Sequence, residues 1–284
     1  MSPLITGINQ SMRRILAGSI LLLVVGIVGA QGSCDPAVAQ TAVAREAAST
    51  EVVLRTAIAA PHRSATNRAR DTYRHPLDTL VFYGLRPDMT VVELWAGGGW
   101  YTEILAPVLA GPGKLVVVRP TKAFKDKMAA DTKIYGKAEI VQVDPPGNLD
   151  FGPDSSADLV LTSRNVHNWV EGGYADKVYA SAFKVLKPGG TLGLEEHRAK
   201  PGTDPQKSAK TGYMPEDAVI KAVEAAGFKF VAKSEVNANP KDTKDYEKGV
   251  WTLPPTLVDG DKNRDKYLVI GESDRMTLKF VKPK

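Results

Sequence analysis

The segment VVELWAGGGWYTEIL, residues 91–105, constrains the fold more than any other stretch of the chain. A short β-branched, apolar run opens into consecutive glycines and then into a helical pattern. The run lacks polar alternation, so it reads as a strand buried on both faces, as strands of a parallel sheet are. Glycines after such a strand let the backbone turn tightly and approach a ligand, and the helix that follows offers unpaired N–H groups. The same alternation recurs downstream. Strands are expected at 114–118, 138–143, 158–162, 191–195, 228–236 and 276–281, with helices at 123–130, 176–186 and 216–226 among them. Pro215 before the last of these helices and Gly227 after it are the usual start and stop residues. Strands alternating with helices imply βαβ units, hence an α/β domain with a doubly wound, mostly parallel seven-stranded sheet and helices on both faces.

Composition excludes several alternatives. Hydrophobic residues at 43% and charged residues at 24% are those of an ordinary globular protein, not of a disordered, collagenous or coiled-coil chain. One cysteine, Cys34, excludes an intramolecular disulfide and a four-cysteine zinc site. The formal charge of +5 is spread among interspersed acids and bases, which argues against a dedicated nucleic-acid binder.

Three segments are expected. Arg13 and Arg14 precede an uncharged apolar run at 15–30, so residues 1–30 read as a secretory signal peptide, with a retained anchor as the alternative. Small residues at Val28-Gly29-Ala30 and Ala37-Val38-Ala39 suit cleavage, and Cys34 is a third option through lipidation. Mature protein would then begin at Gln31, Cys34 or Gln40, in the periplasm or cell envelope. Residues 31–62, rich in Ala, Thr and Ser, read as a linker, a frayed helix or an N-terminal extension. The folded domain spans 63–284. It opens on a helical stretch at 63–83 broken at His75-Pro76, with Tyr73, Leu77, Leu80, Val81 and Phe82 as core candidates.

In an open α/β sheet, ligands bind outside the carboxyl ends of the strands. Gly97, Gly98 and Gly99 are therefore the first binding candidates. The fourth strand leads into Thr162-Ser-Arg-Asn-Val-His-Asn-Trp169, a dense polar set at the same edge. There His167 is a candidate general base, Asn165 and Asn168 candidate orienting groups, and Trp169 an apolar or cation–π wall. A helix cap and a core tryptophan would use the same residues. The fifth strand ends Glu195-Glu196-His197-Arg198. His167, Glu196 and His197 form a conceivable metal-ligand set, but no tight ligand spacing supports it, so no metal is expected, and ion pairing accounts for the charges.

The glycine segment resembles the first motif of class I S-adenosylmethionine-dependent methyltransferases, an acidic residue followed by G-x-G-x-G. Glu93 takes the acidic place, Gly97 and Gly99 the second and third glycines, and Trp95 stands where the first is expected. Leu186-Lys-Pro-Gly-Gly190 is similar to the turn before the fifth strand of that family. The wording ELWAGGGWYTEILAPVL, RNVHNW, EEHR and ESDRMTLKFVK is similar to a bacterial subgroup of exported predicted methyltransferases. The resemblance implies the Rossmann-like methyltransferase fold, S-adenosylmethionine as cofactor, and a small-molecule or lipid-like methyl acceptor. It also implies that Asp144, after the third strand, contacts adenine; a plain loop carboxylate reads equally well. One departure matters. The second strand ends Val117-Val118-Arg119-Pro120, without the carboxylate the family uses for ribose. Arg119 leaves open a phosphorylated ligand such as NADP, or a non-catalytic nucleoside-type binding protein on the same fold.

Overall fold

The computed structural model describes residues 36–284. The proposed signal segment, Cys34 and most of the cleavage positions thus lie outside the described residues. Residues Ala42–Lys284 group into one unit, which holds the sheet and the cavity described below.

Seven strands form one sheet: β1 (Thr90–Leu94), β2 (Lys114–Val118), β3 (Glu139–Val141), β4 (Ala157–Ser163), β5 (Leu186–His197), β6 (Lys229–Ser234) and β7 (Arg275–Val281). Their order is β3-β2-β1-β4-β5-β7-β6, with β7 antiparallel to both neighbours and the other pairs parallel. The doubly wound expectation holds. Strand order reverses between β2 and β4 around β1, which makes the carboxyl edge of β1 and β4 the natural crevice.

The apolar runs form strands because both faces are covered. Val92, Leu94, Val116, Val118 and Val160 face one core, while Val91, Leu115, Val117, Leu159 and Leu161 face the other. A period of two thus sends alternate residues of each run into different layers. The first layer is closed by α8 (Val166–Glu171), α9 (Ala175–Val185) and α11 (Glu216–Ala225), through Trp169, Tyr179, Val219 and Val223. The second is closed by α1 (Pro36–Ala59), α4 (Pro76–Tyr83), α5 (Thr102–Val108), α6 (Lys122–Ala130) and α7 (Thr132–Tyr135).

Several expectations change. The stretch expected as a linker or frayed helix is a 24-residue helix, α1, whose Leu54 and Ala57 are buried in the second core. Tertiary packing, which local periodicity does not report, orders it. The helical stretch at 63–83 divides into α2 (Ala65–Ala69), α3 (Asp71–Arg74) and α4, with His75 at φ 38° between the last two. Tyr73 and Val81, expected in the core, are 38% and 50% exposed. Helices α10 (Pro205–Ala209) and α12 (Arg264–Ile270) fall where no pattern was read. Among the described residues, no helix is long and apolar enough to cross a membrane.

Candidate active site

At the end of β1 the chain reverses within five residues. Trp95 adopts φ 48°, Gly97 φ 57° and Gly99 φ 77°. The turn is held by Ala96 N–H donating to the Val118 carbonyl, Gly99 N–H to the Ala96 carbonyl, and Thr121 N–H to the Gly97 carbonyl. A left-handed backbone is free to glycine but costs tryptophan about 1 kcal/mol or more. The family's glycine at this place, replaced here by Trp95, thus has a geometric reason. The indole is held in return: its ring lies 5.1 Å from Trp169 and 6.0 Å from Phe151, with the Arg119 guanidinium 5.9 Å from its centroid.

The three glycines do different things. A Cβ on Gly98 would meet nothing within 4 Å, and one on Gly97 only the Trp95 carbonyl at 3.8 Å. These two present bare backbone to open space. On Gly99 a Cβ would fall 2.0 Å from the Phe124 ring, so that glycine serves the packing of α6 on the turn. Glu93, just before, is buried and accepts a hydrogen bond from Thr102 Oγ1 at 2.5 Å. Burial raises its carboxyl to about 7, with the Thr102 bonds opposing.

The turn opens onto a cavity of about 360 Å³. Glu93, Trp95, Gly97, Gly98, Asn165, His167 and Asn168 all line it, so seven of nine candidate residues are brought together. Gly99 and Asp144 do not line it. Asp144 is exposed, and its backbone forms a tight turn with Gly147 and Asn148.

His167 is buried on α8, with Nδ1 3.0 Å from Glu196 Oε1. Glu196, fully buried on β5, also accepts from the backbone N–H of Val166, His167 and His197, at 2.5, 3.3 and 2.8 Å. It therefore caps the start of α8, which has no side-chain cap of its own. An oxygen already accepting from backbone makes His167 Nδ1 the donor and leaves Nε2 as the lone-pair nitrogen. His197 lies with its ring 5.6 Å from that of His167, its Nδ1 2.5 Å from Ser273 Oγ. Burial, then His167 and neighbouring arginines, hold it well below the usual histidine range. The ligand atoms of His167, Glu196 and His197 lie within 4.8 Å of one another, close enough for a cation. Glu196 is already committed to four N–H donors, and that occupancy favours an orienting role.

Asn165 behaves otherwise than expected. Its Nδ2 donates to the Leu94 and Ser163 carbonyls and to Thr162 Oγ1, at 3.3, 3.0 and 3.3 Å, so it ties the ends of β1 and β4 together. Asn168 is exposed at the cavity rim, and Trp169 is fully buried as a core wall. Residues that sequence reasoning passed over also line it, among them Arg70 and Arg74 from α2–α3, Tyr101 and Trp251, beside Arg164 and His197 from the polar segments that follow β4 and end β5. The four-residue spacing of Arg70 and Arg74 on a helical stretch was a readable signal; nothing local marked Trp251.

No protein-family model matches the chain. It is 28% identical over 164 residues, 55% of its length, to the ubiquinone/menaquinone biosynthesis C-methyltransferase UbiE of Salmonella arizonae. The same identity and span are found with the enzyme of that name from Vibrio vulnificus. The chain spans 62% and 60% of the length of these two relatives. Among solved structures it resembles a SAM-dependent methyltransferase from Aquifex aeolicus, with TM-score 0.52 and 16% identity, covering 75% of this chain and 93% of that one. The [4+2]-cyclase SpnF superposes with TM-score 0.53 and 16% identity, covering 79% and 85%. Phosphoethanolamine N-methyltransferase 2 of Haemonchus contortus, in complex with S-adenosyl-L-methionine, gives 0.51 and 14%, covering 75% and 53%. With its seven-stranded order and antiparallel β7, the chain therefore has the class I S-adenosylmethionine-dependent methyltransferase fold.

Proposed function

We propose that this protein is an S-adenosylmethionine-dependent methyltransferase. One observation carries the reading: the bare Gly97–Gly98 backbone, the buried Glu93 and His167 share one cavity at the switch point of the sheet. Sequence similarity to methyltransferases over 55% of the chain supports it. The fold alone does not, because SpnF is a cyclase on the same architecture.

The residues present fit the cofactor at the turn. A side chain on Gly98 would occupy the open space beside Glu93, and its absence leaves room for the methionine portion. The ribose end differs, since Arg119 stands where a carboxylate would bond the hydroxyls. When bound, the cofactor supplies a methyl group on a positively charged sulfur. This chain's part is then to place the acceptor in line and to receive its proton. His167 Nε2 is the accepting atom, and Glu196 holds the imidazole in the tautomer and orientation that expose it. The acceptor is a small or lipid-like molecule, met outside the cytoplasm if residues 1–30 direct export.

Calorimetry with S-adenosylhomocysteine tests the site. Gly98→Val introduces no positive-φ strain and no contact within 4 Å at Cβ, so the variant should fold yet lose the ligand. Unchanged affinity in folded Gly98→Val would refute the assignment.

A further inference from the structure

The same cavity holds more positive charge than the protein itself neutralises. Arg70, Arg74 and Arg164 line it, and Arg275 lies behind them. Glu272 takes Arg70 Nε at 2.5 Å, Arg74 Nε at 3.2 Å and Arg275 Nη1 at 3.2 Å. Glu195 pairs with Arg275 at 3.0 Å and accepts from Ser163 Oγ at 2.7 Å. Four guanidinium groups thus share two carboxylates. Glu196 is committed to α8 and His167, His197 is held neutral, and burial raises the carboxyl of Glu93, also on the cavity, to about 7, so none of them redresses the balance in full.

The surplus is local and has unused donors. Arg70 Nη2, Arg74 Nη2 and Arg164 Nε are buried without a hydrogen-bond partner. Arg74 is 1% exposed. The Arg164 side chain makes no hydrogen bond or ion pair among the described residues, and it stands on a left-handed backbone at φ 60°. Its position is set by its own N–H, which donates to the Glu195 carbonyl at 2.8 Å. Burial and mutual repulsion push Arg74 and Arg164 below the ordinary guanidinium range. The three residues line the cavity, and guanidinium groups there whose N–H donors the protein leaves unpaired are complementary to a carboxylate or phosphate.

The proposed donor does not supply the missing charge. S-adenosylmethionine carries one carboxylate against an ammonium and a sulfonium, so it adds net positive charge to a site already in surplus. We propose that Arg70, Arg74 and Arg164 form an anion-binding subsite for the methyl acceptor, which carries a carboxylate or phosphate group. This deepens, and rests on, the methyltransferase reading. The acceptor's anionic end lies on the three guanidiniums, and its nucleophilic atom reaches His167 in the same cavity. The anion offsets the surplus that the sulfonium would otherwise raise.

Calorimetric titration of the whole protein with inorganic phosphate, with and without S-adenosylhomocysteine, tests this. Phosphate should bind in both cases. Arg164→Gln should weaken phosphate by about tenfold or more, the loss expected for a charged hydrogen bond, and leave S-adenosylhomocysteine affinity nearly unchanged. Should Arg164→Gln fail to fold by circular dichroism, Arg70→Gln, whose side chain is 18% exposed, takes its place with the same expectation. Absence of phosphate binding to the wild-type protein overturns the proposal. So does competition between phosphate and S-adenosylhomocysteine with equal weakening of both in Arg164→Gln, since the guanidiniums would then hold the donor's carboxylate. Phosphate binding that depends on Arg164 without any S-adenosylhomocysteine binding keeps the anion subsite and overturns the proposed cofactor instead.

Discussion

At His167 the chemistry depends on which nitrogen faces the cavity. Glu196 takes Nδ1, which leaves Nε2 as the nitrogen free to accept a proton on a residue that lines the cavity. A base in this position typically contributes 10²–10⁴ in rate. His167→Ala should therefore lower turnover by about that factor with donor affinity unchanged. Rates of methyl transfer to the acceptor, beside calorimetry with S-adenosylhomocysteine, separate the two effects. Wild-type turnover in folded His167→Ala would remove the proton-transfer step and leave positioning alone. Asn168→Ala should cost less, because an exposed rim residue can orient a substrate but takes no proton. The Asn165 Nδ2 is taken up by Leu94, Thr162 and Ser163, which ties this residue to the scaffold at the cavity wall.

Strand β1 carries an acid into a place that disfavours its charge. Glu93 is covered on both sides by neighbouring strands, and among the described residues its carboxyl is bonded only to Thr102 of α5. Its carboxyl is raised from 4.5 to about 7, so the folded state holds a proton that the unfolded chain releases. The stability this contributes is fully present below pH ~4.5 and is lost as pH rises through ~7. Above that, ionising the buried group costs on the order of 3 kcal/mol, at about 1.4 kcal/mol for each tenfold change in proton affinity. Glu93→Gln keeps an acceptor for Thr102 and has no proton to lose. Urea unfolding should show the variant more stable than wild type at pH 8 by up to that amount, with the gap closing near pH 4.5. A difference independent of pH would mean that Glu93 is ionised throughout. Turn and strand are coupled here: the α5 start that supplies Thr102 exists because Gly97 and Gly99 reverse the chain.

For the whole molecule, the proposed export rests on Arg13, Arg14 and the apolar run at 15–30, outside the described residues. Mass spectrometry of protein from the cell envelope should find the chain beginning at Gln31, Cys34 or Gln40. An intact Met1 on soluble cytoplasmic protein would sink the proposal. The layered architecture is legible in the order of residues alone. Both-faced burial of parallel strands writes itself into contiguous apolar runs, and the β1 turn needs backbone conformations that favour glycine. Those are local demands, and local sequence answers them. Nonlocal demands leave no such mark: α1 is ordered by burying Leu54 and Ala57, and Trp251 reaches the cavity from a segment with no recognisable pattern. The working groups of the cavity are of the second kind. His167 meets Glu196 across 29 residues, and Arg70 meets Glu272 across 202. Their residue types and the edge of the sheet that gathers the β4 and β5 groups follow from the sequence. Which carboxylate orients the histidine, and that Arg70, Arg74 and Arg164 converge with N–H donors to spare, was decided only when the strand order 3-2-1-4-5-7-6 brought distant segments together. Partnering of buried polar groups is a property of three-dimensional neighbours, and no sequence spacing encodes it.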